Sequence, residues 1–130
     1  MKGGGKMTVR IVVPVVDESG LESRISEHFG RTPFFALIDL NEKGQVIGQK
    51  IVPNAGEHFG GGGKRVDFIL NLKPNAIIAY GMGPRGLSIY QSERVAVLRA
   101  NADTVKDVIA AYNREELEEL TEGCHEARHP

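Results

Sequence analysis

Between Thr8 and Val16 the chain carries Val9, Ile11, Val12, Val13, Val15 and Val16, a run too continuously apolar for a strand with one wet face. A strand of this kind is buried on both sides, which puts it at the centre of a sheet with helices packed against it. Ala76-Ile77-Ile78-Ala79-Tyr80 has the same character. Two such strands point to an α/β architecture and predict that they lie side by side and parallel.

The segments between them supply the rest of the sheet. Asp17-Glu18-Ser19-Gly20 breaks the chain after the first strand, and a polar stretch runs on through Ser26. Phe34–Ile38 and Val46–Val52 read as two further strands, joined across Asn41-Glu42-Lys43-Gly44. A short polar connection with a glycine predicts an antiparallel hairpin. From Lys64 the period changes: Val66, Phe68, Ile69 and Leu70 give a helical stripe that stops before Pro74. Gly81-Met82-Gly83-Pro84-Arg85-Gly86 opens a short helix with Pro84 in its first turn. Arg94–Leu98 is the last strand. Asp103 or Thr104 caps a final helix on which Val105, Val108, Ile109 and Tyr112 share one face. Glu115–Leu120 reads as its amphipathic extension, ended by Gly123.

Helix crossovers make the last two strands parallel to their neighbours, with the favoured right hand. The prediction is a five-stranded mixed sheet in the order 3-2-1-4-5, flanked by helices. Ligands of such sheets collect beyond the carboxyl ends of the parallel strands, where the winding reverses. The loops that leave strands there would gather His28, His58 and Arg85 around one mouth.

Both histidines sit in matching contexts. Glu27-His28-Phe29-Gly30-Arg31 returns as Glu57-His58-Phe59-Gly60, which runs into Gly61-Gly62-Gly63-Lys64-Arg65. Each imidazole follows a carboxylate that could orient it and precedes an aromatic that could anchor its loop, and glycine frees the backbone after it. Solvent-exposed turn histidines are the plain alternative; the repeated tetrapeptide and the basic residue after each copy argue for a ligand site.

Three other motifs bear on chemistry. Gly60–Lys64 resembles a phosphate loop, but a Walker motif needs glycine at His58 and Ser or Thr at Arg65. Gly81–Gly86 matches GxGxxG, yet no following strand ends in an acidic residue to hold a ribose. It reads either as an anion-binding helix start, with backbone amides and Arg85 as donors, or as a tight strand-to-helix turn. Cys124-His125-Glu126-Ala127-Arg128-His129 offers a thiolate and two imidazoles suited to soft transition metals, although one short tail cannot close a site alone, and an unstructured end fits the same residues.

Several classes are excluded. A net charge of −1 leaves no basic footprint for nonspecific nucleic acid binding. No apolar run reaches membrane-spanning length, and Met1–Lys6 has no apolar centre to act as a signal peptide, so a cytoplasmic protein without membrane contact is expected. The single cysteine, Cys124, rules out an internal disulfide and any cluster held by four cysteines of one chain. At 130 residues one domain is expected, over 8–122, after an unstructured arm at 1–7 and before a metal-capable tail at 123–130.

Ser26-Glu27-His28-Phe29-Gly30-Arg31 followed by Phe34-Phe35, a glycine-rich run opening a helix, Gly81-Met82-Gly83-Pro84-Arg85 and a terminal Cys124-His125 resemble the dinitrogenase iron-molybdenum cofactor biosynthesis family, over roughly residues 8–125. The family includes small cofactor carriers similar to NifX and the carboxy-terminal domain of the radical enzyme that builds the cofactor's precursor. The resemblance implies a ribonuclease H-like fold and a part in binding or carrying an iron-sulfur or iron-molybdenum type cluster. It points to Arg31, Gly60, Gly61, Gly62, Gly63, Gly81, Met82, Gly83 and Arg85 as cofactor-binding positions and to His28, His58, Cys124 and His125 as metal ligands. No CxxxCxxC motif is present, so the chain is not the radical enzyme. Nuclease chemistry on this fold needs several carboxylates on the central strands, and only Asp17 and Asp39 are offered. The expectation is a non-enzymatic carrier that meets cofactor donor and acceptor proteins. The alternative is a small-molecule-sensing or protein-interaction scaffold module that binds an anionic ligand in the same mouth.

Overall fold

Residues 9–15 do form the innermost strand. The computed structural model describes residues 8–54 and 62–121, and over residues 62–65 the backbone alone. In chain order the elements are β1 (Val9–Val15), a 3-10 turn (Gly20–Glu22), β2 (Phe34–Leu40), β3 (Val46–Pro53), α1 (Gly62–Asn71), β4 (Ala76–Ala79), α2 (Pro84–Ser92), β5 (Ala96–Arg99) and α3 (Val105–Asn113). The sheet order is β3-β2-β1-β4-β5. β1 runs antiparallel to β2 and parallel to β4, with Ile11 beside Ala76 and Val12 beside Ile77, and β4 is parallel to β5. The predicted adjacency of the two apolar runs therefore holds, and so does the five-stranded mixed order.

The alternation along each strand divides the core into two layers. Ile11, Val13, Val15, Ala36, Ile38 and Ile78 face α3 and pack on its Val105, Val108 and Ile109. Val12, Phe35, Leu37, Ile77 and Val97 face the other way, onto Val66 and Ile69 of α1 and Leu87 and Tyr90 of α2. Burial on both faces explains why β1 and β4 read as unbroken apolar runs. Local chemistry sets the joints. Asn41 Oδ1 accepts the amides of Lys43 and Gln45 at 2.9 and 3.0 Å to turn the hairpin, and Gly44 takes φ +83°. Thr104, rather than Asp103, caps α3 by accepting the amide of Asp107.

Three expectations need correction. α1 starts at Gly62, so Gly62 and Gly63 occupy its first turn instead of preceding it. Arg94 and Val95 belong to the turn that closes α2: Arg94 is left-handed, at φ 67°, and Val95 donates to the Tyr90 carbonyl, so β5 begins at Ala96. Finally, Glu115–Leu120 does not extend α3. Glu115 turns left-handed at φ 59° and the chain doubles back along β5, with Arg99 N–H donating to Glu118 O and Leu120 N–H to Val97 O, both at 2.8 Å. Leu117 packs on the α3 side of the sheet and Leu120 on the other. A strand-like segment can straddle an edge in this way, whereas a helix presents its apolar positions to one side. Gly123, the expected stop, lies outside the described residues. No helix among the described residues is long and apolar enough to cross a membrane.

Candidate functional site

The carboxyl ends of β1 and β4 are roofed by two loops, and each is built from its own sequence. After Val15 the chain passes the 3-10 turn and returns: Val16 N–H donates to Arg24 O at 3.0 Å and Ser26 N–H to Pro14 O at 2.9 Å. Asp17 helps hold the return, its carboxyl kept below the usual range by hydrogen bonds from Ser23 and Ser19. Residues 27–31 then project over the strand ends. Phe29 is the anchor, 7% exposed, with its ring edge-on to Phe35 at 5.4 Å and to Tyr90 at 6.1 Å.

Polar side chains fix the backbone of the same loop. Thr32 is fully buried, and its hydroxyl lies 2.8 Å from the Val15 carbonyl and 3.0 Å from that of Phe34. Asn54, at the end of β3 and 2% exposed, donates from Nδ2 to Gly30 O at 3.2 Å and Thr32 O at 2.9 Å. Ser26 Oγ accepts the His28 amide at 3.3 Å. The His28 and Arg31 side chains remain exposed on this fixed frame. Glu27 does not orient the imidazole as the sequence led us to expect: among the described residues no hydrogen bond joins the two, and Ser26 holds the His28 backbone instead.

The facing wall is Gly81–Gly86. Gly83 is the N-cap of α2 in extended conformation, Pro84 follows at the first helical position, and Leu87 N–H closes the turn on Gly83 O at 3.1 Å. Neither conformation nor packing demands glycine at 83. Its φ is −64°, and a Cβ there would meet nothing within 4 Å. The bare Cα faces open space at a helix amino terminus, where backbone amides and the helix dipole favour an anion.

Between the walls is a cavity of about 430 Å³. It is lined by His28, Arg31, Gly81, Met82, Gly83 and Arg85 among the predicted residues, and by Glu27, Phe29, Val66 and Tyr90. The size falls in the range of small-molecule sites. Its floor is apolar and buried, from Phe29, Met82 and Tyr90, and its rim carries one imidazole, two guanidinium groups and the Glu27 carboxylate. Among the described residues Arg31 and Arg85 have no hydrogen-bond or salt-bridge partner. The other predicted positions are not gathered here: His58, Gly60, Gly61, Cys124 and His125 lie outside the described residues, and Gly62 and Gly63 are known only as the first turn of α1. Among the described residues no three His, Cys, Asp or Glu side chains cluster as metal ligands.

The carboxylate argument against nuclease chemistry gains a geometric reason. Asp39 pairs with Arg10, Nε to Oδ1 at 2.8 Å and Nη2 to Oδ2 at 3.1 Å, at the end of the sheet away from the mouth. Sequence reasoning missed Thr32, Asn54 and Tyr90. Asn54 read as the end of the hairpin; a buried amide reaching back to Gly30 is a tertiary contact with no local signature.

The model of the dinitrogenase iron-molybdenum cofactor family matches residues 10–115. The chain belongs to that family. Membership associates it with the iron-molybdenum cofactor of dinitrogenase, in the accessory, cofactor-handling class of proteins. The matched span contains both cavity walls. A relative in Methanocaldococcus jannaschii, the uncharacterized protein MJ0580, is 28% identical over 100 residues, which are 75% of this chain and 84% of the relative. Among solved structures, a Thermotoga protein proposed to be a NifB protein is similar at a TM-score of 0.69 and 31% identity, over 87% of this chain and 94% of that one. The apo form of the orange protein from Desulfovibrio gigas shares the fold at a TM-score of 0.73 and 16% identity, over 87% and 93% of the two chains.

Proposed function

We propose that the chain is a non-enzymatic carrier which holds an anionic iron-sulfur or iron-molybdenum type cofactor, or a precursor of one, in this mouth, between a donor protein and an acceptor protein of the cytoplasm. One observation carries the reading: an imidazole and two guanidinium groups without protein partners among the described residues ring one cavity of about 430 Å³ over an apolar floor. His28 would ligate a metal of the cargo. Arg31, Arg85 and the amides at the start of α2 would offset its negative charge. A single firm ligand among weaker donors suits a protein that must release what it binds. His58, Cys124 and His125 stay candidate ligands from segments outside the described residues, and Gly60–Gly63 candidate anion contacts.

The test is anaerobic reconstitution with iron and sulfide. A coloured protein with visible charge-transfer absorption that survives gel filtration supports the carrier; a colourless protein contradicts it. The open Cα of Gly83 beside Arg85 also favours a second reading, a sensing or scaffold module for a phosphorylated small molecule. That reading predicts a colourless protein whose melting temperature rises with phosphorylated metabolites.

A further inference from the structure

The two outer edges of the sheet differ. β5 is covered by the chain's own Glu118–Leu120, whereas β3 has no further strand beside it among the described residues. Along this open edge the sequence Val46-Ile47-Gly48-Gln49-Lys50-Ile51-Val52 is a mirror image of itself about Gln49, apart from Gly48 and Lys50. Val46 and Ile47 are 37% and 57% exposed; with Val16 they are the large hydrophobic residues that stand exposed among the described residues. A bulge opposite Asp39 and Leu40 makes Ile47 the extra, unpaired residue of this edge.

We propose that β3 pairs antiparallel with β3 of a second copy of this chain, about a two-fold axis at Gln49. Ile47, the most exposed of these side chains, then lies opposite the partner's Ile51, whereas the bulge leaves Val46 on the face of Leu40 and the partner's Val52 on the face of Phe35, so that outer pair is not made. An isologous contact of this kind requires self-complementarity, which the Ile47–Ile51 pair, made twice about the axis, supplies.

The single mismatch is also complementary. Within one chain Gly48 lies opposite Asp39, whose Oδ2 would be 3.6 Å from a Cβ at position 48. Directly opposite residues of an antiparallel pair share a face. Asp39, Gly48 and the partner's Lys50 therefore form one row. Because Gly48 has no side chain, the partner's lysine can cross it to the Asp39 carboxylate, extending the Arg10–Asp39 pair into a three-charge chain. Lys50 is exposed and has no ion-pair partner among the described residues in the single chain.

The register gives a sharp test on the full chain with Cys124→Ser. At the axis, the two residues at position 49 have Cα atoms about 4.5–5.5 Å apart, within disulfide reach. The two at position 46 are separated by six residues of strand, about 20 Å. Gln49→Cys should form a covalent dimer under mild oxidation at least tenfold faster than Val46→Cys. In sedimentation equilibrium the unmodified chain should show a concentration-dependent dimer, and Lys50→Glu should raise its dissociation constant at least tenfold without changing the melting temperature measured at concentrations where both chains are monomeric. A monomer at every concentration, equal cross-linking at the two positions, or a dimer indifferent to Lys50→Glu would overturn the proposal.

Discussion

Three arginines show how the two ends of the sheet are used. Arg10, at the amino end of β1, bonds Asp39 through two nitrogens and the Leu72 carbonyl at 2.9 Å through a third. The hydrogen bond to Asp39 raises its pKa against the lowering effect of partial burial. Arg31 and Arg85, at the opposite end, have no such partners among the described residues, yet the backbone beneath Arg31 is tied down by Thr32 and Asn54 and that beneath Arg85 by the start of α2. At one end charge is neutralised to hold the fold. At the other the backbone is tied down and the charges have no partner among the described residues.

Changes to the frame should therefore cost stability and changes to the rim should not. The largest effect is expected at Phe29→Ala, which empties the contact with Phe35 and Tyr90 and should lower the unfolding free energy by about 3 kcal/mol, measured by urea denaturation. Asn54→Leu comes next: the carbonyls of Gly30 and Thr32 lose their donor, for about 1–3 kcal/mol, with the loop's amide exchange accelerating. A smaller cost is expected for Asp39→Ala, about 1 kcal/mol, because Arg10 keeps partial access to water. Arg31→Gln and Arg85→Gln should each change stability by less than about 0.5 kcal/mol while weakening anion binding severalfold. A rim arginine as costly as Asn54 would break the comparison.

Tyr80 gives a pH signature on the frame side. Its hydroxyl donates to Ala102 O at 2.9 Å and to Asp103 Oδ1 at 3.2 Å, and burial, then Asp103, raises its pKa. A raised pKa means that the neutral form is favoured in the folded state. Its contribution is complete below the unfolded value of about 10 and disappears as pH rises through the higher folded value. Thermal melts should lose stability as pH rises through that range, and Tyr80→Phe should flatten the loss.

The fold was legible because its strongest signals are periodic. Doubly buried strands at 9–15 and 76–79 and the stripe at 105, 108, 109 and 112 carry the order of the sheet, and the hairpin turn is spelled by Asn41 and Gly44. The end of α3 was misread because Leu117 and Leu120 have helical spacing, and only contact with both faces of β5 decides for an extended path. Part of the cavity's lining was legible as well. His28, Arg31, Met82 and Arg85 meet at one cavity because they follow strands whose carboxyl ends are adjacent. Thr32 and Asn54 escaped notice, since their work is to bond carbonyls brought near only by the finished fold.

Replacing His28 tests the central claim most directly. It projects from a loop whose position is set by Phe29, Thr32 and Asn54, so its loss should leave the frame intact. Wild type and His28→Ala should be reconstituted anaerobically with iron and sulfide, with bound metal and melting temperature read on the same samples. The account predicts that His28→Ala loses retained cluster while melting within about 2 °C of wild type, a shift equivalent to less than about 0.5 kcal/mol for a domain of this size. Wild-type metal retention by His28→Ala, or its unfolding, would contradict a mouth built to leave that imidazole free for cargo.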